Sequence, residues 1–342
     1  MNARVEPVHR QRLTTLEPSN SSNRSEREHP VLACPRCRFV VGVARGHELR
    51  CDNCAFVLRN EGGIWRTLPD IGQYATFMEQ YETVRKAEGR GSNNPQYYLA
   101  LPFQDHSGKL SWQWKIRSST YRTLESEILP RFERKRGPGL DILDIGAGNG
   151  WLSYRLALRR HRPVALDLLV NDFDGLGCVG HYATALSHQL PCYQAAMDHL
   201  PFADDQFDLV LFNSSLHYST NYRRTLSEAM RCIRPDGHIL IMDSPVYHRL
   251  DSGERMKTAT HSQFERQYGF RSDSLGSVGY LTFSMLRELG AELDLVWNLH
   301  RPWYGLKWAL RPVNAFLRGK REPSKFIIAW ARVSRGHAYQ SR

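Results

Sequence analysis

The 342-residue chain has no apolar run approaching the roughly 20 residues that a membrane-spanning helix needs. Its N-terminus lacks the apolar core of a secretory signal, and Glu6 and Glu17 sit where a transit peptide would carry no acid. Internal repeats are absent. Residues 1–29 hold almost nothing that can build a core and are expected to form a disordered tail. These absences set the expectation of a cytoplasmic protein. What remains is long enough for one α/β domain of about 200 residues plus a smaller unit. The net charge of +11 favours acidic partners, or marks only Arg-rich solvated faces.

Four of the seven cysteines form a pattern: "CPRC" (Cys34, Cys37) and "CDNC" (Cys51, Cys54). A Cys-x-x-Cys turn presents two thiolates to one tetrahedral ion, and two such knuckles complete a four-sulfur shell. The stretch between them, "FVVGVARGHELR", supplies a strand, a Gly-bearing turn and a second strand, expected as a hairpin. Two disulfides suit a cytosolic chain poorly, and no βαβ pattern surrounds a redox pair. Zinc is therefore the expected ion, held by Cys34, Cys37, Cys51 and Cys54. With every position filled by sulfur the role is structural or a docking platform. Cys178, Cys192 and Cys232 are scattered and are expected to be buried as small apolar residues.

Residues 71–95 are polar and end in "EGRGSNNP", which reads as a linker. "WQWKIRSSTYRTLESEILPRF" (112–132) is an amphipathic helix by spacing, with Trp114, Tyr121, Leu124 and Ile128 near one face. From residue 140 apolar strands alternate with helical stretches, at 140–145, 163–167, 192–195, 207–212, 237–242, 292–297 and 325–333. Such alternation predicts an α/β fold with a Rossmann-like parallel sheet covered by helices on both faces. The expected division is a tail (1–29), a zinc ribbon (30–70), a linker with a helical cap (71–135) and the α/β domain (136–335).

"DILDIGAGNGW" (141–151) runs a strand into a glycine turn. Gly146 and Gly148 fit the first two glycines of the dinucleotide fingerprint, but position 151 is Trp and the third glycine falls at Gly150. Asp144 sits two residues ahead of the first glycine, where a pyrophosphate would gain nothing from a carboxylate. This Asp-x-Gly-x-Gly-x-Gly pattern resembles class I S-adenosylmethionine (SAM) methyltransferases, from about residue 136 onward. "VALD", ending in Asp167, "MDHLPFADDQFDLVLFNSSLHY" and "RCIRPDGHILIMD" resemble that family's later landmarks, most closely in its quinone-biosynthesis branch. "AFVLRNEGGIWRTLPD" resembles the ribbons that precede such domains in bacterial proteins. The resemblance implies a seven-stranded sheet whose sixth strand is parallel and whose seventh returns antiparallel. It implies SAM as cofactor, with Asp144 near the amino acid end, Gly146, Gly148 and Gly150 in the turn, Asp167 on the ribose and Asp198 on the adenine. Asn213 joins them at the end of the fourth strand.

Methyl transfer needs the acceptor placed in line with the methyl carbon, and a base only where the acceptor must lose a proton. His217, Tyr218 and Asp243 follow strands four and five and are the candidate catalytic groups; His217 has the alternative of a capping or packing role. Ser214-Ser215 replaces the two prolines that amino-group methylation of DNA bases uses. Cys192 lies at the wrong edge to attack carbon 5 of a pyrimidine. About 25 residues (298–322) separate strands six and seven, with no acid between Asp294 and Glu322. They are expected at the acceptor side, as a packed lid, a contact for an anionic membrane surface, or a contact for RNA. The expected function is methylation of a small or lipid-like metabolite; its rivals are an RNA methyltransferase and a non-catalytic SAM-binding scaffold.

Overall fold

The computed structural model describes residues 29–137 and 139–334, so the tail expected at 1–29 lies outside the described residues except for His29. The described part begins with five short strands: β1 (Val31–Ala33), β2 (Val40–Val43), β3 (Glu48–Arg50), β4 (Val57–Glu61) and β5 (Ile64–Arg66). Helices α1 (Gly72–Ala87), α2 (Pro95–Ala100), α3 (Ser111–Thr123) and α4 (Leu129–Arg136) follow. The last two are joined through a π-helical turn at Leu124–Ile128. Then come β6 (Asp141–Ile145), α5 (Trp151–Leu158), β7 (Arg162–Asp167), α6 (Ala183–Leu186), β8 (Cys192–Gln194), β9 (Phe207–Asn213), α7 (Tyr222–Cys232) and β10 (Ile233–Met242). The rest comprises β11 (Val246–Tyr247), α8 (Leu250–Tyr268), β12 (Leu281–Thr282), α9 (Phe283–Leu293), β13 (Asn298–His300), α10 (Leu306–Ala309), α11 (Arg311–Leu317) and β14 (Ile328–Arg332).

One sheet organises the molecule, in the order β13-β14-β10-β9-β6-β7-β8-β5-β4-β3. Strands β8, β7, β6, β9 and β10 are parallel, and β14 lies antiparallel between β10 and β13. These seven strands are the expected sheet. All seven residues of β9, "FDLVLFN", are buried, because helices cover both faces. The pleat sorts neighbours to opposite cores: Leu143, Val210 and Ile241 to one, Ile142, Leu211 and Leu240 to the other. Strands β6, β7, β9 and β10 end at one edge, with Ile145, Asp167, Asn213 and Met242. Loops leaving that edge build the site.

Four sequence expectations change. The ribbon does not stand apart: β5 pairs in parallel with β8, so β5, β4 and β3 extend the main sheet to ten strands. The hairpin expected between the knuckles does not form, since β2 pairs with β1 and β3 with β4. The polar stretch read as a linker is the sixteen-residue helix α1. The sixth strand begins at Asn298 instead of 292, because α9 runs to Leu293 and ends on Asp294 in the left-handed conformation. The helix expected at 112–132 is present as α3, the π turn and the start of α4. It buries Trp114, Tyr121, Leu124 and Ile128 as its spacing requires.

Candidate active site and metal centre

The two knuckles have matching backbones. Arg38 N–H donates to Cys34 C=O (2.8 Å) and Ala55 N–H to Cys51 C=O (2.9 Å). Arg38 and Ala55, each next after the second cysteine of its knuckle, both have positive φ, 66° and 59°. The four sulfurs lie within 4.8 Å of one another, with Cys34–Cys54 and Cys37–Cys51 at 3.5 Å, and all four are free thiols. A tetrahedron with metal–sulfur bonds of about 2.3 Å has edges of about 3.8 Å. The donor set therefore fits a tetrahedral thiophilic ion. Hydrogen bonds from the Asn53 side chain and the Phe39 backbone lower the Cys37 thiol to about 6, while burial raises the Cys34 thiol. Cys178, Cys192 and Cys232 are buried and unpaired, as their scatter suggested.

At the carboxyl edge a cavity opens between the glycine turn and helix α1. Gly146 leaves β6 with φ +73°, and a Cβ there would lie 2.3 Å from Cβ of Ser215. Only glycine lets the two loops close on each other. Gly148 N–H donates to Asp167 Oδ2 (2.7 Å), and Leu169 N–H donates to Oδ1 (2.9 Å). Asp167 is thus fixed on the cavity wall. Burial raises its pKa, while the Leu169 and Gly148 amides work the other way. Asn213 ends β9 on the same wall, buried, with Oδ1 lacking a partner. Tyr218 lines the wall too, edge-on to Phe77 and Tyr81 of α1.

Other sequence candidates lie elsewhere. Gly150 starts α5 with φ +74° and packs against Val179, off the wall. Asp144 lies buried behind the turn; Ser153 Oγ donates to Oδ2 (2.8 Å), Oδ1 is unpartnered, and burial raises its pKa to about 7. Asp198, expected on the adenine, pairs with Arg224 (3.3 Å) and His199 (3.3 Å), and Met197 takes the place on the wall. His217 stands behind the wall with Nδ1 3.3 Å from Ser244 Oγ. Burial, with Arg85 and Arg117 nearby, pushes its pKa to about 3, so it stays neutral and is a poor base. Asp243 is buried, and Oδ1 accepts from Thr120 Oγ1 (2.6 Å). Burial raises it to about 6 against the opposing effects of Thr120 and Arg117. Of the three catalytic candidates only Tyr218 faces the cavity.

The sequence reading missed two arginines that do. Arg85 of α1 bridges to Asp174 (3.3 Å) and stacks on Tyr81. Arg117 of α3 makes no ion pair among the described residues. It reaches Ser214 Oγ at 3.5 Å and lies over the Trp114 ring. Burial, Arg90 and Arg85 lower its pKa to about 10. A signal was present: Trp114, Arg117, Tyr121, Leu124 and Ile128 follow one helical stripe, and a cation inside it has no reason to be there for packing. The cavity thus offers a glycine turn, one oriented carboxylate, an aromatic lid and an unpaired cation, a set suited to a zwitterionic nucleoside.

Comparison with known proteins finds methyltransferases. Residues 143–241 match the methyltransferase domain family. The chain is 26% identical over 186 residues to the uncharacterized methyltransferase YodH of Bacillus subtilis, covering 49% of this chain and 74% of that protein. It is 22% identical over 165 residues to the ubiquinone/menaquinone biosynthesis C-methyltransferase UbiE of Brucella anthropi, covering 48% of this chain and 61% of that protein. The latter match thus spans less than two thirds of the relative's length. Among solved structures, a putative sarcosine dimethylglycine methyltransferase from Galdieria sulphuraria superposes with a TM-score of 0.47 at 14% identity, over 75% of this chain and 98% of that one.

Proposed function

We propose that the chain, whose residues 143–241 match the methyltransferase domain family, transfers the methyl group of SAM to a small or lipid-like acceptor. The observation that carries this reading is Asp167, oriented by the Gly148 and Leu169 amides, facing the cavity beside the close Gly146–Ser215 contact. In this reading Asp167 accepts from the ribose hydroxyls and Met197 packs on the adenine. Arg117, which makes no ion pair among the described residues, takes the amino acid carboxylate. Bound there, SAM would supply a sulfonium methyl whose carbon an acceptor nucleophile attacks, the pair of the broken carbon–sulfur bond passing to sulfur.

The chain's own work is then mostly positional. Asn213, Ser214 and Tyr218 form the wall the acceptor would meet, and Phe77 and Tyr81 exclude water from above. His217 is no general base in this scheme, because with its pKa pushed to about 3 the neutral imidazole is too weak a base to take up an acceptor's proton near neutrality. The ribbon holds one zinc ion through Cys34, Cys37, Cys51 and Cys54, with no position open for chemistry.

Titration calorimetry with SAM tests the reading. Asp167→Ala is expected to weaken binding by about 2 kcal/mol, the cost of leaving charged hydrogen bonds unmade. Binding at the parent's affinity would remove Asp167 from the cofactor site, and a parent that ignores SAM would remove the function.

A further inference from the structure

The segment between β13 and β14 differs from the rest of the surface. Trp303, Leu306, Leu310, Val313, Phe316 and Leu317 are all exposed there, Phe316 by 83% and Leu317 by 74%. Monomeric soluble proteins scatter such side chains singly. The same stretch carries Arg301, Lys307, Arg311, Arg318, Lys320 and Arg321 and no acid between Asp294 and Glu322. The lid expected from sequence would have folded its apolar face onto the domain; α10 and α11 bury no residue.

The base of the segment, by contrast, is fixed. Tyr304 is buried, with its hydroxyl 2.9 Å from Thr120 Oγ1. Trp308 packs on Tyr304 and Phe326, and Arg311 stacks on Trp308 at 3.7 Å. A rigid foot thus holds an apolar tip away from the domain, ringed by cations.

We propose that this segment docks the protein on an anionic lipid surface. Apolar side chains on one side and Lys or Arg around them are what an interfacial helix needs to enter the headgroup layer. Two other occupants fit worse. Single-stranded RNA is gripped by stacking on aromatic rings, but of the six exposed side chains only Trp303 and Phe316 are aromatic, Leu306, Leu310, Val313 and Leu317 are aliphatic, and Trp308 is already covered by Arg311. A second copy joined through a two-fold axis would bring two sets of six cations together with no acid in the segment to offset them. Docking stands independently of methyl transfer. Because Tyr304 and Asp243 share Thr120, the foot of the segment adjoins the carboxyl edge of the sheet, and docking would bring that edge near the bilayer. Under the methyltransferase reading, that suits an acceptor dissolved in lipid.

Vesicle flotation of the full chain tests this. The protein is expected to float with vesicles containing phosphatidylglycerol, more weakly as salt rises, and to stay behind with pure phosphatidylcholine. Phe316→Asp with Leu317→Asp, and separately Arg318→Glu with Lys320→Glu, are each expected to cut vesicle binding by about tenfold or more. All four side chains are exposed, so both variants should melt with the parent and keep its SAM affinity. A parent that fails to float, or variants that float equally well, would overturn the proposal. So would vesicle-free self-association, or binding to polyuridine, that the Phe316/Leu317 variant abolishes while vesicles go unbound. Flotation by a chain that binds no SAM would support docking and count against the enzymatic reading alone.

Discussion

Replacing Gly146 by Ala adds one methyl group at the tightest point of the cavity. Two costs follow. The backbone sits at φ +73°, where an L side chain is strained by about 1–2 kcal/mol. The new Cβ would lie 2.3 Å from Cβ of Ser215, which is buried and whose hydroxyl donates to the Ile145 carbonyl. Ser215 cannot step aside without leaving that carbonyl, so an overpacking cost of about 1–3 kcal/mol adds to the first. The sum is about 2–5 kcal/mol, or roughly 3–7 °C in melting temperature for a chain of this size. Gly319→Ala separates the two: its φ is +59° but nothing lies within 4 Å, so about 1–2 kcal/mol is expected from strain alone. Thermal melts followed by circular dichroism read both variants, and SAM calorimetry at a temperature where all are folded reads the site. Gly146→Ala should also weaken SAM binding, because the turn must shift. If it melts with Gly319→Ala and binds SAM like the parent, the loops are not held as described.

Two further outcomes follow from buried groups. Asp144 and Asp243 keep their protons to about 7 and about 6, whereas unfolded carboxyls lose theirs near about 4. The folded form therefore holds protons the unfolded chain has released, and stability falls as pH rises through that window, by up to about 1.4 kcal/mol per pH unit for each group. Denaturant midpoints at pH 5 and pH 7.5 should show a smaller drop for Asp243→Asn than for the parent, and equal drops would contradict the assignment. Elemental analysis should find one zinc per chain, lost in Cys51→Ser. Because β5 is hydrogen-bonded to β8, that variant should also lower the main melting transition; an unchanged transition would mean the ribbon contributes nothing to the sheet.

What could be read from sequence was local. The glycine turn and the place of Asp167 follow from spacing along one strand–turn–helix unit, and the buried stripe of α3 from one helical period. Side-chain direction at loops was not legible. Asp198 stands where a ligand acid was expected, but Arg224 and His199, distant or adjacent in sequence, turn it away. His217 and Asp243 leave the right strands yet end behind the wall, for strand ends fix position and not orientation. Helix α1 escaped notice because its inward face is Phe77, Tyr81 and Arg85, too polar on average to show an apolar stripe. The merging of ribbon and sheet depends on Ile64 meeting Cys192, a pairing across 128 residues that no local pattern announces.

That merging bears on how the chain ages and how it is handled. A sheet ending at β8 would leave Cys192, Tyr193 and Gln194 as a bare margin, ready to template the strands of another molecule. As built, the margin is β3, three residues long, with Glu48 and Arg50 exposed and Glu48 facing Arg59 of β4 at 3.6 Å. The ribbon also precedes β8 in the chain, so the strands that cover this margin are synthesised before it. A fragment starting at α1 would keep every cavity residue and yet be born with an open seam. Its shortfall would appear as clumped material and poor recovery, not as a slower enzyme.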